Sequence, residues 1–135
     1  MIVVDTNVVA YAVLPGEQSA AALALAERDP DWVAPPLWRL ELRNVLATLM
    51  RVRGLPLAGA LAAFAAAEEL VGDASLGAST EECLRIAARG RISAWDAEFV
   101  FVAEAMGVSL VSADRRLARA FPDRVVWLPS MAGKL

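Results

Sequence analysis

The first hydrophobic signal in the chain is short and unbroken: Ile2, Val3 and Val4 run directly into Asp5. A continuous β-branched run of this kind predicts a strand covered on both faces, as in a parallel sheet. From there the apolar spacing alternates between strand and helix. Pro15-Gly16-Glu17 marks a turn, Ser19 to Arg28 an Ala-rich helix, and Asp29-Pro30-Asp31 its end. Trp32-Val33-Ala34 is a brief strand before Pro35-Pro36. Proline suits a first helical turn, so a helix is expected from about Pro36 to Arg53. Its apolar stripe is Leu37, Leu40, Val45 and Leu49, widened by Leu42, Leu46 and Met50.

Gly54-Leu55-Pro56 separates that helix from a second one reaching about Val71, a helical hairpin inserted into the alternating pattern. After Gly72-Asp73 a weak strand is expected over about 74–78. Ser79-Thr80-Glu81-Glu82 reads as a helix start, with the helix running to about Arg89 and a loop at Gly90-Arg91-Ile92. Ser93 caps an apolar helix from Ala94 to Met106, closed by Gly107. Val108 to Ser112 is a clear strand, Arg115 to Phe121 a short helix, and Val125-Val126-Trp127 a last strand. The pattern predicts one α/β domain over residues 1–135, with a mainly parallel sheet flanked by helices as an α/β/α sandwich.

Composition narrows the chemistry. At 135 residues the chain is large enough to bury roughly two-thirds of its unfolded surface. Hydrophobic content of 58% with 21% charge excludes a disordered chain. The longest uncharged apolar stretch, Leu55 to Ala67, is broken by Pro56 and Gly59 and falls short of the ~20 residues a membrane span needs. Asp5 interrupts the N-terminal apolar run and no basic segment precedes it, so no secretory leader is expected. Cys83 stands alone, which fits a reducing cytoplasm. The net charge of −3 argues against a sequence-independent nucleic-acid coat, though not against a nucleic-acid enzyme whose acids are screened by metal. There is no histidine, which removes histidine triads, histidine-based nucleases and histidine zinc sites. Chemistry is left to carboxylates, hydroxyls and arginines.

Four acids stand out: Asp5, Glu41, Asp96 and Asp114. Three of them have a plain structural alternative. Asp5 or Thr6 fits an N-cap, as does Asp114, and Asp96 stands three residues after Ser93 as in a capping box. Yet Asp96 also shares a stripe with Phe99, Val100 and Ala103. Glu41 has no capping role, and no arginine lies three or four residues from it. If the sheet order reverses beside the first strand, Asp5 and Asp114 reach adjacent strand tips, with Glu41 and Asp96 converging from flanking helices. An all-oxygen cluster suits a hard divalent ion such as Mg²⁺ or Mn²⁺, which holds phosphates and activates water.

Four stretches together resemble a PIN domain: Val3-Val4-Asp5-Thr6-Asn7-Val8, Leu40-Glu41-Leu42-Arg43-Asn44-Val45, Trp95-Asp96-Ala97-Glu98-Phe99 and Leu110-Val111-Ser112-Ala113-Asp114-Arg115-Arg116. In order and spacing they are similar to the VapC-type ribonuclease toxins of type II toxin–antitoxin pairs, with the likeness spanning Ile2 to Trp127. The resemblance implies a cytoplasmic endoribonuclease using Mg²⁺ or Mn²⁺ and leaving 5′-phosphate and 3′-hydroxyl ends. It places Asp5, Glu41, Asp96 and Asp114 as catalytic metal ligands, with Thr6, Asn7 and Ser112 orienting them, their waters or the substrate. It also implies a homodimer, a larger toxin–antitoxin assembly, and an antitoxin segment filling the groove between the helix from Pro36 to Arg53 and its successor.

The chain departs from the family pattern in two places. Ser112 stands where threonine is commoner, and Arg116 and Leu117 stand where some members carry a further acid, which leaves the ligation of a second metal open. Arg115 and Arg116, just past Asp114, are candidate phosphate contacts, against the plain reading of a solvated face that also suits Arg39, Arg43, Arg51 and Arg53. Trp38, Trp95, Phe64, Phe99 and Phe101 suggest either a partner surface or simple core packing. A phosphoacceptor receiver domain needs a lysine near its last strand, but the only lysine is Lys134; a haloacid-dehalogenase phosphatase needs Asp-x-Asp where Asp5-Thr6-Asn7 stands. The remaining alternative is a non-catalytic PIN-like binding or dimerisation module.

Overall fold

The computed structural model describes residues 1–131. Five three-residue strands, β1 Ile2–Val4, β2 Trp32–Ala34, β3 Val71–Asp73, β4 Leu110–Ser112 and β5 Val125–Trp127, form one sheet in the order β3-β2-β1-β4-β5. Every neighbouring pair is parallel. Val3 and Val4 point to opposite faces of β1, and both are 0% exposed. The sheet is therefore covered on both sides, which explains why its central strand carries no polar alternation.

The helices are α1 Thr6–Val13, α2 Ser19–Arg28, α3 Trp38–Arg53, α4 Leu57–Leu70, α5 Thr80–Gly90, α6 Ala94–Met106, α7 Arg115–Ala120 and α8 Leu128–Met131. Helix α1 packs against α2, α3 and α4, while α5 packs on α6 and α6 on β1 and β4. No helix among the described residues is long and apolar enough to cross a membrane.

The third strand lies at Val71–Asp73, not over 74–78. Gly72 and Asp73 read as a chain break because both are poor strand formers. Tertiary contacts override that preference. Helix α4 passes straight into β3, whose residues pair with Trp32, Val33 and Ala34. The Asp73 carboxylate is then held by the Trp38 indole N–H at 3.0 Å and by Arg39 at 2.5 Å. Helix α8, which begins at the buried Leu128, has no counterpart in the apolar pattern.

The buried face of α3 is Trp38, Leu42 and Leu46, spaced four apart, and Leu40 is 64% exposed. Two residues are about 200° of helix, so Leu40 points away from the core that Trp38 and Leu42 enter. The aromatic surplus is mostly packing. Trp38 and Phe99 are fully buried, Phe64 stacks on Trp38 with centroids 5.8 Å apart, and Phe101 packs on the core. Only Trp95 of that set is exposed, also at 64%.

One close approach positions the α5–α6 turn. A Cβ built on Gly90, the last residue of α5, would fall 2.3 Å from the ring of the buried Phe121. Gly90→Ala is therefore expected to destabilise the protein by about 1–3 kcal/mol, the usual cost of overpacking. Chemical denaturation with an unchanged m-value checks this, and a variant as stable as wild type would show that Phe121 yields freely.

Candidate active site

The site begins with register. Val4 pairs with Val111, and the Asp5 amide donates to the Val111 carbonyl at 2.9 Å. Asp5 thus leaves the C-terminal tip of β1 directly beside Ser112, two residues before Asp114. Since β2 lies on one side of β1 and β4 on the other, this tip is the topological switch of the sheet.

Asp5 is 7% exposed, and its two carboxylate oxygens are both engaged. The Thr6 amide donates to Oδ1 at 2.8 Å, so Asp5 does N-cap α1. The Ser112 hydroxyl donates to Oδ2 at 2.6 Å. Burial pushes the Asp5 carboxyl up to about 6, against the Ser112 and Thr6 hydrogen bonds that favour its charge; the nearby Asp96 and Glu41 charges add to the rise.

Ser112 is itself a hub. Fully buried, it accepts the Asp114 amide at 3.0 Å and the Asn7 side-chain amide at 3.4 Å while donating to Asp5. Asn7 Oδ1 in turn accepts the Ala113 amide at 3.1 Å. Helix α1 is in this way laced to the tip of β4.

Glu41 finds its partner 35 residues away: the Thr6 hydroxyl donates to Oε1 at 2.7 Å. Burial raises its pKa, Thr6 opposes the rise, and Asp96 reinforces it. For Asp96, burial and the charge of Asp114 outweigh the stabilising Ser93 hydroxyl, and its pKa too is raised. Ser93 Oγ accepts the Asp96 amide at 3.1 Å, so the capping reading holds for this pair. Asp114 N-caps α7 through Oδ1, which accepts the amides of Arg116 at 2.9 Å and Leu117 at 3.3 Å. Capping leaves Oδ2 outside the cap, so a cap and a site wall are compatible in one residue.

All four acids line one cleft of about 520 Å³, with Leu37, Leu40, Val45 and Trp95 among its apolar walls. The cleft opens between α3 and α6 rather than between α3 and α4, whose junction is filled by Trp38 and Phe64. Among the described residues no three acids stand close enough together to grip one ion as they are placed. The donors are nonetheless all oxygen, three of them are pushed towards protonation by burial and like charge, and a hard cation meets both conditions.

The arginines divide. Arg39 is tied to Asp73 and Glu68, Arg43 lies over the Phe64 ring, and Arg115 lies 4.7 Å over the Trp127 ring. Arg116 instead borders a second hollow that shares Asp96 and Asp114 with the cleft. Arg91, a further member of that hollow, carries no signal in the sequence because its loop holds no motif.

A parallel sheet with carboxylates gathered at its switch point defines an α/β protein with an acidic, all-oxygen site. More specifically, the PIN domain model matches residues 2–121, and the chain belongs to the PIN domain family. PIN domains are typically nuclease domains and generally use divalent metal ions. In structure the chain is similar to the crystal structure of PAE2754 from Pyrobaculum aerophilum, with a TM-score of 0.74 and 18% identity over 98% of this chain and 94% of that one. That likeness speaks for the fold. Among curated proteins none matches the chain in sequence.

Proposed function

We propose that the protein is a Mg²⁺- or Mn²⁺-dependent endoribonuclease of the VapC toxin type. The observation that carries this reading is the convergence of Asp5, Glu41, Asp96 and Asp114, from two strand tips and two helices, on one cleft. These four carboxylates would hold the metal, which would take much of its shell from water, as Mg²⁺ commonly does. Bound there, such an ion supplies charge neutralisation for the phosphodiester and an acidified water. Ser112 and Thr6 fix the orientation of Asp5 and Glu41. Asn7 keeps the β4 tip in register with α1. The site then needs no histidine, in agreement with the composition.

Inhibition by a cognate antitoxin is part of the proposal. Leu40 and Trp95 leave an exposed apolar rim around a negatively charged interior, complementary to a segment carrying apolar side chains and an arginine. A homodimer is included, with Leu57 and Leu61 exposed one turn apart on α4.

The test is cleavage of total RNA by the purified protein, with Mn²⁺ or Mg²⁺ and with excess EDTA, the products mapped by end sequencing. Discrete 5′-phosphate ends that vanish with EDTA are expected. Intact RNA under both metals, with no metal-induced rise in melting temperature, would move the binding-module reading to first place.

Ser112→Ala gives a finer check. It removes the hydroxyl that holds Asp5 and receives the Asp114 amide. The metal concentration giving half-maximal cleavage is expected to rise tenfold to a hundredfold, roughly the effect of losing a group that orients a ligand. A metal titration unchanged from wild type would refute that role.

A further inference from the structure

We propose that Arg91 and Arg116 form a phosphate-binding hollow beside the acidic cleft, receiving the backbone phosphate next to the one that is cut on an RNA strand. This rests on the ribonuclease reading above and adds to it a place where the strand is held.

The hollow, about 390 Å³, lies where the α5–α6 turn faces the start of α7. Asp96 and Asp114 belong to both it and the acidic cleft, so the two concavities share a wall. Arg91 and Arg116 line it, and neither side chain forms an ion pair or hydrogen bond among the described residues, although Asp96 and Asp114 line the same space. Three arginines elsewhere do pair with acids: Arg39 with Asp73, Arg85 with Glu81 and Arg89 with Glu104. Guanidinium forks left open beside a nuclease cleft match the oxygens of a phosphate.

The backbone adds an independent observation. Arg91 has φ 53° and ψ 45°, and among the described residues it is the only non-glycine with positive φ. It closes α5 at a position that glycine fills with far less strain. Its neighbour Gly90 cannot exchange places with it, because Phe121 occupies the space of a side chain there. An arginine is thus kept where its conformation is costly, next to a functional cleft, and such outliers point towards function. Arg115, by contrast, is turned over Trp127. The sequence pair Arg115 and Arg116 is replaced in space by Arg91 and Arg116.

The experiment uses the full chain carrying Asp5→Asn, chosen to slow cleavage during the measurement, in Mn²⁺. Fluorescence anisotropy of a short labelled single-stranded RNA is followed across a series of KCl concentrations. Replacing Arg91 and Arg116 by Ala is expected to weaken binding about tenfold and to lower the slope of log affinity against log salt by about 0.7, the amount for the one phosphate that is no longer neutralised on a single strand. Lysine at both positions should keep most of the slope. Arg51→Ala with Arg53→Ala, at the far end of α3, should leave it unchanged; an equal loss there would reduce the effect to bulk charge and overturn the proposal. Arg91→Gly separates binding from structure: it is expected to raise the melting temperature by about 2–4 °C through relief of the left-handed backbone while still weakening RNA binding. If wild type cuts RNA but the double alanine variant keeps the full slope, the hollow is not a phosphate site and the nuclease reading stands. If wild type neither cuts nor binds RNA, both fall.

Discussion

Asp5→Asn is expected to cut RNA cleavage by on the order of a thousandfold while leaving the fold in place. The substitution is isosteric, and the amide oxygen can still accept the Thr6 N–H that starts α1. What disappears is the charge of the most enclosed of the four acids, at the strand tip on which the other three converge. If Asp5 holds the proposed metal, the loss should exceed that of Ser112→Ala, because one change would remove a ligand and the other only its hydrogen-bond partner. Cleavage of a single-site RNA in Mn²⁺, with circular dichroism to confirm the fold, measures it. Activity within tenfold of wild type would mean that Asp5 is only a helix cap.

The second large effect is on stability. Burial lifts the Asp5 carboxyl from 3.8 to about 6. Between those values the native state binds a proton that the unfolded chain has released, so stability falls as pH rises. The contribution is fully present below pH 3.8 and lost above about 6; at about 1.4 kcal/mol per pH unit the difference is about 3 kcal/mol. Glu41 and Asp96 run in the same direction. In EDTA at pH 7.5, Asp5→Asn should therefore be more stable than wild type by about 2 kcal/mol, after about 1 kcal/mol is subtracted for the lost Ser112 bond. The advantage should vanish near pH 4. Adding Mn²⁺ to wild type at pH 7.5, at about a hundred times its Kd, should raise the melting temperature by on the order of 10 °C, and by much less at pH 5. Thermal melts of both proteins at the two pH values with and without Mn²⁺ decide the matter. A wild type insensitive to Mn²⁺ at pH 7.5 would remove the metal from the proposal.

Elements with a strong local signal are legible in the residues alone. The β-branched run Ile2 to Val4, the helix from Ser19 to Arg28, and the Ser93-capped helix closed by Gly107 have the same bounds in the structure, because propensity, capping and burial agree there. Glu41 is legible as a candidate for a negative reason: a carboxylate with no neighbour in helical reach to satisfy it. Its true partner, Thr6, comes from another helix, and only the fold reveals it.

Where signals conflict, tertiary structure decides. Gly72 and Asp73 form a strand because β2 offers a ladder and Trp38 and Arg39 hold the carboxylate. Leu40 lies at the cleft rather than in the core because Trp38 and Leu42 set the phase of α3. Arg115 and Arg116, adjacent in sequence, go to different surroundings, and Arg91 joins Arg116 from a distant turn. The sequence by itself determined the alternation of strands and helices and singled out the four acids that line one cleft. Hydrophobic period and residue chemistry are local properties, and they survive in one dimension. Which side chains meet, which charges stay unpaired and which strand tips are adjacent depend on long-range packing, and only the folded chain decided those.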